Sequence, residues 1–255
     1  MKRYQKIMVG LVALSTVSMA SGRFEMSACH DFSEEIAVPS FSLNVPSGLA
    51  CGYGGGFIGL SGMTDDDDTD GGIGFGVGYG DPDKIGGVVS LSIGSIDPSD
   101  GGSFNRGALN ISAGHDFRDQ LIGVSVGMDS INLWHDNDED HDKNPSMYLA
   151  VTKLVPNEVA PMVFTVGAGN NNFAKVNESG DKKDKIYPFV SGAVYVMPQV
   201  SLIADYSSDI VSAGVGLVPF PHLPLTMTLE AYDLGKERDE DTVSFVGSVC
   251  LSFNF

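Results

Sequence analysis

The sequence predicts an all-β fold, namely a closed antiparallel β-barrel of about twelve strands that spans a membrane. Three observations lead to this prediction. Apolar side chains alternate with small or polar ones along many segments, short connections alternate with long ones, and the chain starts with a signal peptide. Together they favour a barrel with a lipid-facing outer surface and a polar interior.

The first twenty residues have the organisation of a secretory signal peptide. Lys2, Arg3 and Lys6 precede an apolar stretch over residues 7–17, and Ser18-Met19-Ala20 supplies a small-x-small cleavage pattern. The apolar stretch is too short to cross a bilayer as a helix, so an N-terminal anchor is the less favoured alternative. We expect Sec-type export and a mature chain that starts near Ser21.

The clearest strand is the last one, over residues 242–255. Its apolar face comprises Val243, Phe245, Gly247, Val249, Leu251, Phe253 and Phe255, and most positions between them are Ser, Thr or Asn. A period of two over this length is typical of a strand between lipid and a barrel interior, and it is longer than most strands of soluble sandwiches.

Eleven upstream segments show the same kind of pattern. They are residues 55–63, 72–79, 89–94, 109–114, 122–129, 147–151, 162–166, 186–197, 200–207, 211–217 and 223–230. Segment 186–197 is apolar on both faces, and Pro188 weakens its start. With the final strand the count is twelve, and an even count returns both chain ends to the same side of the membrane, as in bacterial barrels.

The connections support the same arrangement. Short ones at residues 81–84, 117–119, 156–161, 197–199 and 219–221 alternate with mostly longer, acidic ones at 64–70, 97–106, 135–145, 170–185 and 235–241, and 208–209 is the short exception. We expect short periplasmic turns and longer extracellular loops.

The predicted domains are a signal peptide (1–20), a periplasmic or lumen-plugging segment (21–53) and the barrel (54–255). A soluble β-sandwich is less favoured, because its outer face would need more solvating charge.

The charge excludes several functions. Removal of the signal peptide leaves 12 Lys and Arg against 33 Asp and Glu, a net charge of −21. Such a chain repels nucleic acid, so we expect no nucleic-acid partner and no polybasic membrane-surface role.

Of the three cysteines, Cys29 and Cys51 are the pair that could form a disulfide after export, while Cys250 lies in the terminal strand.

These features resemble the porin-like outer-membrane β-barrel proteins of Gram-negative bacteria, without pointing to a subfamily. The resemblance rests on the signal peptide, the amphipathic strands and a final strand that ends in Phe255. It implies a place in the bacterial outer membrane among lipid and lipopolysaccharide. It also implies that the barrel-assembly machinery recognises the terminal strand through Phe245, Val249, Leu251, Phe253 and Phe255. Barrels of this kind include channels, a phospholipase and translocators, so the resemblance is not specific for an activity.

Four polar residues are predicted to line the lumen. The inward register places Asp129, Asp205 and Glu230 among Ser and Thr residues, with Asn110 on another wall and His115 as a further candidate there. An acidic lining of small residues favours cations. The sequence therefore predicts a passive channel for small solutes with a cation preference. The alternative is a closed structural or surface-interaction barrel whose acidic loops bind divalent cations or partners, and bulky contacts from the N-terminal segment would favour it.

Two acidic loops are candidates for metal binding. Asp66, Asp68 and Asp70 resemble the opening of a calcium loop, but Val77 stands where such a loop has its closing acid. Asp136, Asp138 and Asp140 form a second cluster, flanked by His135 and His141. We expect calcium at the surface loops, bridging to lipopolysaccharide phosphate, or merely solvated acidic loops; no other cofactor is predicted.

No local motif for catalysis is present, although a nucleophile and a base on separate strands need only meet in space. The sequence therefore favours a protein that is not an enzyme.

Overall fold

The computed structural model describes residues 37–64, 69–94, 104, 106–135, 145–174, 185–237 and 243–255. Over these residues, twelve antiparallel strands form one closed barrel, in which each strand pairs with its neighbours in sequence and the last strand pairs with the first. The predicted fold class is thus confirmed. The residues so described include no helix long and apolar enough to cross a membrane. The signal peptide predicted over residues 1–20 lies outside this part of the chain.

The strands are β1 (Gly55–Thr64), β2 (Thr69–Asp81), β3 (Ile85–Gly94), β4 (Arg106–Phe117), β5 (Ile122–His135), β6 (Ser146–Val155), β7 (Met162–Gly169), β8 (Tyr187–Met197), β9 (Val200–Ser207), β10 (Ile210–Leu217), β11 (Leu225–Tyr232) and β12 (Ser244–Asn254). In the described parts of the connections there are two single 3₁₀ turns, Arg118–Gln120 and Asn171–Phe173. Pro188 does not delay β8, because it is the second residue of that strand, where the missing N–H removes a single ladder hydrogen bond.

The barrel has an inverted distribution of polarity. Large apolar side chains point outward and are exposed, among them Ile58, Phe75, Val126, Leu149, Val166 and Leu229. The alternate positions point inward and are buried, and many are hydroxyl residues, among them Ser90, Ser125, Thr152, Thr165, Ser191, Ser201 and Thr228. A soluble protein buries its large apolar residues, whereas an apolar outer band is stable in lipid.

The two ends of the barrel differ in their connections. Residues 82–84, 118–121, 156–161, 198–199 and 218–224 connect strands at one end, which we call the short-turn end. The opposite, long-loop end carries residues 65–68, 95–105, 136–145, 170–186, 208–209 and 233–243. Gly55 and Asn254, where the barrel starts and finishes, pair with each other at the short-turn end.

Candidate functional site in the barrel lumen

Residues 37–51, which we call the lumen segment, lie inside the barrel. All of them are buried except Asn44, which is partly exposed. Their hydrogen bonds go to inward-facing side chains of β4, β5, β6, β8, β9, β10 and β11. A single stretch can contact seven strands of a closed barrel only from within it. Residues 21–36, the rest of the predicted N-terminal segment, lie outside the described residues.

The lumen segment enters and leaves by the same end. Near its start, the Pro39 carbonyl accepts a hydrogen bond of 3.1 Å from the Tyr195 hydroxyl, at the short-turn end of β8. The apex, residues 43–45, lies toward the long-loop end. The chain then returns, and the Tyr53 N–H donates to the Gly80 carbonyl (2.9 Å) at the short-turn rim, just before β1 begins. The segment is therefore a re-entrant loop.

Asp205 on β9 holds the apex. Its Oδ2 accepts hydrogen bonds from the backbone N–H groups of Leu43 and Asn44, both at 2.8 Å, and from the Ser42 hydroxyl at 3.3 Å. Its Oδ1 accepts one at 2.5 Å from the Ser191 hydroxyl. Asp205 is only 3% exposed. A buried carboxylate is stable when donors surround it, and most of these donors come from the lumen segment.

Glu230 on β11 contacts the same apex. Its Oε1 accepts a hydrogen bond from the Asn44 side-chain amide, which also donates to the Ser212 hydroxyl at 3.2 Å. Glu230 is 5% exposed. Two of the three carboxylates that the sequence assigned to an open cation pathway, Asp205 and Glu230, are thus bonded to the chain's own N-terminal segment.

Thr152 on β6 holds the returning limb. Its hydroxyl accepts a hydrogen bond from the Gly48 N–H at 2.8 Å and lies 2.7 Å from the Thr165 hydroxyl and 3.4 Å from that of Ser47. Closer to the short-turn end, Asp116 Oδ1 accepts from the Ala50 N–H at 3.0 Å. Wall side chains therefore bind the backbone of both limbs.

An apolar cluster fills the lumen between the polar contacts. It joins four residues of the segment to five on the inner wall: Val38, Phe41, Leu43 and Leu49 pack with Leu154, Val163, Ala193, Tyr195 and Ile203. Burying one such side chain contributes about 1.5–3 kcal/mol. A water-filled channel would leave these wall residues wet, so the wall from β6 to β9 suits an inserted chain better than water.

The segment depends on hydrogen bonds that can be tested singly. Thr152→Val keeps the side-chain shape but leaves the Gly48 N–H without its acceptor, at a cost of about 1–3 kcal/mol. We expect the buried thiol of Cys51 to react with a maleimide roughly 5- to 150-fold faster, because reaction requires the segment to move. The measurement uses a Cys29→Ser, Cys250→Ser background, so that only Cys51 reacts.

The matched control for this prediction is Thr165→Val. Thr165 bonds the Thr152 hydroxyl and has no hydrogen bond to the lumen segment among the described residues. Its effect on the Cys51 rate is expected to be clearly smaller. Equal rates for the two variants would show that the Gly48 contact does not hold the segment.

The other lumen candidates lie on the opposite wall. Asn110 on β4 donates to the hydroxyls of Ser90 and Ser92 at 3.4 Å and accepts from the Ser130 N–H at 2.9 Å. Asp129 on β5 is also buried. In a ring of twelve strands, β4 and β5 face β9 to β11 across the lumen, so the four predicted residues face inward but do not form one cluster.

The structure places His115 outside the lumen, contrary to the sequence-based suggestion. It has the outward register of Ile111 and Phe117, its Nδ1 lies 2.9 Å from the Lys84 carbonyl oxygen, and its ring meets that of Phe117 edge-on. The alternation that directs Asn110 inward instead directs Asp116 inward, so Asp116 could have been found by extending the strand pattern.

Sequence reasoning also missed the contacts of the lumen segment itself. The available signal was a short alternation between Pro39 and Pro46, in which Phe41, Leu43 and Val45 are apolar and the residues between them are polar. The apolar members belong to buried clusters in the lumen, and the polar members bond the wall.

Most of the predicted metal-binding residues, Asp66, Asp68, Asp136, Asp138 and Asp140, lie outside the described residues. Asp70 is described: it forms an ion pair of 3.0 Å with Arg106 and accepts a hydrogen bond from the Gly71 N–H. No group of three or more metal-ligating side chains occurs within the described ranges. Calcium binding at the loops stays a prediction.

The cysteine and assembly predictions have different outcomes. Cys29 lies outside the described residues, and Cys51 is buried without a disulfide to any described residue. Four residues proposed for the assembly signal point outward on or just after β12, namely Phe245, Leu251, Phe253 and Phe255, with exposures from 42% to 66%. Their recognition by the assembly machinery stays a prediction.

Comparison with known proteins gives similar folds only. No protein-family model and no curated protein matches the chain. Among solved structures, the porin NanC is similar over 78% of this chain and 100% of its own, at 9% identity and a TM-score of 0.46. Outer membrane phospholipase A from Escherichia coli is similar over 80% of this chain and 97% of its own, at 12% identity and a TM-score of 0.44. Acinetobacter baumannii Omp33 is similar over 82% of this chain and 100% of its own, at 10% identity and a TM-score of 0.43.

These neighbours, a porin, an outer-membrane phospholipase and another outer-membrane protein, are of the class that the sequence resembles. The expectation that this chain is not an enzyme rested on the absence of a local motif and is contradicted, because the neighbours with this fold include a phospholipase. The physical reason is that a catalytic site on a barrel is assembled from separate strands, so the absence of a local motif excludes nothing. At these TM-scores the likenesses carry no argument about the activity of this chain.

Proposed function

We propose that this chain is an outer-membrane barrel that forms a passage for small solutes and is closed at rest by its own lumen segment. The outward apolar band suits lipid, and the hydroxyl-rich inner wall suits polar solutes. The observation that carries the closure is the apex contact, in which Asp205 and Glu230 are occupied by residues 42–44.

The cation preference belongs to the open state of this passage. When the segment leaves, Asp205 and Glu230 lose donors that now compensate their buried carboxylates, and water or a cationic solute replaces them. These carboxylates do not stabilise an anion in the passage. The passage therefore prefers cations and neutral polar solutes.

Asp205→Ala tests the closure. It removes the acceptor of two buried backbone N–H groups, and hydrogen bonds to a charged group are worth about 1.5–3 kcal/mol each. In a planar bilayer we expect the wild-type mature protein to be closed most of the time and the variant to be open at least about tenfold more often. Leu202→Ala, which points outward on the same strand, is the matched control.

A disulfide lock shows whether the segment is the gate. The Ser47 and Thr152 hydroxyl oxygens are 3.4 Å apart, so the two side chains already meet, and a cysteine pair is placed at these positions. With native cysteines changed to Ser, the Asp205→Ala variant carrying this pair should be silent when oxidised and conduct after reduction. A wild-type protein with steady conductance that the lock leaves unchanged would refute the proposal.

A further inference from the structure

The beginning of the β7–β8 connection folds into the barrel from the long-loop end. We call residues 170–174 the inner turn. Its first residue, Asn170, is bound to β6: the Asn170 carbonyl accepts from the Ser146 hydroxyl at 2.6 Å, and its side-chain oxygen accepts from the Met147 N–H at 2.7 Å. The next residue, Asn171, donates from Nδ2 to the Pro145 carbonyl at 2.7 Å. These contacts fix the start of the turn to the rim.

Asn172 extends these contacts to other strands. Its Nδ2 donates to the Ser130 hydroxyl on β5 at 2.8 Å, and its carbonyl accepts from the Ser208 hydroxyl at 3.0 Å. Ser208 belongs to the β9–β10 connection. The inner turn thus bonds β5, β6 and the β9–β10 connection, so it reaches across the mouth of the barrel.

Phe173 then brings the inner turn to the lumen segment. Its side chain is fully buried (0% exposed), and its ring centroid lies 4.7 Å from that of Phe189 on β8. Val45, at the apex of the lumen segment, belongs to the same buried cluster, together with Ala150. Gly169 has no side chain where a Cβ would meet the Phe173 ring. The apex is therefore packed from both ends of the barrel.

We propose that the inner turn is a second closing element, which clamps the apex through Phe173 so that the two elements open together. This inference rests on the proposed closure by the lumen segment. Its physical basis is one buried apolar cluster shared by elements from opposite ends, so that loss of either Val45 or Phe173 leaves a void beside the other element. A displacement of the inner turn thereby acts on a segment anchored at the short-turn end.

A double-mutant cycle on Val45 and Phe173 tests this coupling. The readout is the maleimide rate of native Cys51 in the Cys29→Ser, Cys250→Ser background. Cys51 is buried in the lumen segment and lies outside the apolar cluster that contains both mutated positions. We expect Val45→Ala and Phe173→Ala each to raise the rate about tenfold. The double variant should react about as fast as the faster single variant, well below the product of the two effects.

The control cycle pairs Phe173→Ala with Phe41→Ala. Phe41 lies in the other apolar cluster of the segment, so these two effects should multiply. Heat-modifiable gel mobility checks that each barrel is folded, and Phe173→Leu replaces the alanine variant if that one is not.

The outcomes are distinct. Multiplying effects of Val45→Ala and Phe173→Ala, or an unchanged Cys51 rate in Phe173→Ala, would overturn the clamp while leaving the lumen segment as the gate. A wild-type Cys51 that reacts as fast as a fully exposed thiol would instead overturn the proposed closure itself.

Discussion

Replacement of residues 38–50 by a Gly/Ser linker of equal length is expected to turn a closed barrel into a steadily conducting one. The linker keeps the upstream chain attached but lacks the apolar side chains that pack on Leu154, Val163 and Ile203. It also gains more conformational entropy outside the lumen than inside. In planar bilayers the mean current should rise at least about tenfold over wild type, because the lumen now holds both limbs of a re-entrant chain and the emptied space is wide enough for small solutes.

Ion selectivity gives this prediction its control. In the linker variant we expect cations to be preferred, and Asp205→Asn with Glu230→Gln should reduce that preference without abolishing the current. The same pair in the wild-type background should instead loosen the apex, since both carboxylates bind it there. If wild type and linker variant conduct equally, the segment does not obstruct the passage. If both are folded but silent, the surface-interaction function becomes the better explanation.

The barrel could be predicted because the two faces of every strand lie in different environments. Each position meets either lipid or the interior, so Phe245 and its neighbours on β12 carry a period of two that survives in the sequence. The same register placed Asn110, Asp129, Asp205 and Glu230 on the inner face. These are local properties, and they required no knowledge of which strands are adjacent.

The lumen segment could not be predicted in the same way. Its principal contact joins Leu43 to Asp205, 162 positions apart, and nothing in either neighbourhood specifies the other. Residues 41–45 also have a period of two, which is equally typical of a strand. Whether they lie in the periplasm or in the lumen depends on the volume left inside the closed barrel, which strand number alone does not give.

Inward-facing glycines of the barrel wall leave room for the backbone of the lumen segment. Gly123 on β5 faces inward, and a Cβ placed there would come within 2.7 Å of the Gly48 carbonyl oxygen and 2.8 Å of the Leu49 Cα. At Gly216 on β10, a Cβ would lie 2.9 Å from the Ser40 backbone nitrogen. In the sequence these residues resemble any small inward residue of a barrel, but the structure shows that the segment's backbone needs their missing side chains.

Gly123→Val is therefore expected to displace the segment while preserving the barrel. Valine suits a β-strand, so the pairing of β5 with β4 and β6 is retained. The added side chain collides with backbone atoms of residues 48 and 49, and overpacking of this kind costs about 1–3 kcal/mol. We expect Cys51 to be modified roughly 5- to 150-fold faster, with a matching rise in open time in planar bilayers.

Gly247→Val is the matched control, because Gly247 faces outward on β12 and the nearest atom to a Cβ there is 3.9 Å away. It makes the same substitution in a strand of the same barrel without touching the segment. Its Cys51 rate and open time should equal those of wild type. If both glycine variants opened the barrel equally, the cause would be a general loosening of the sheet, and the close fit between wall and segment would have no part in closure.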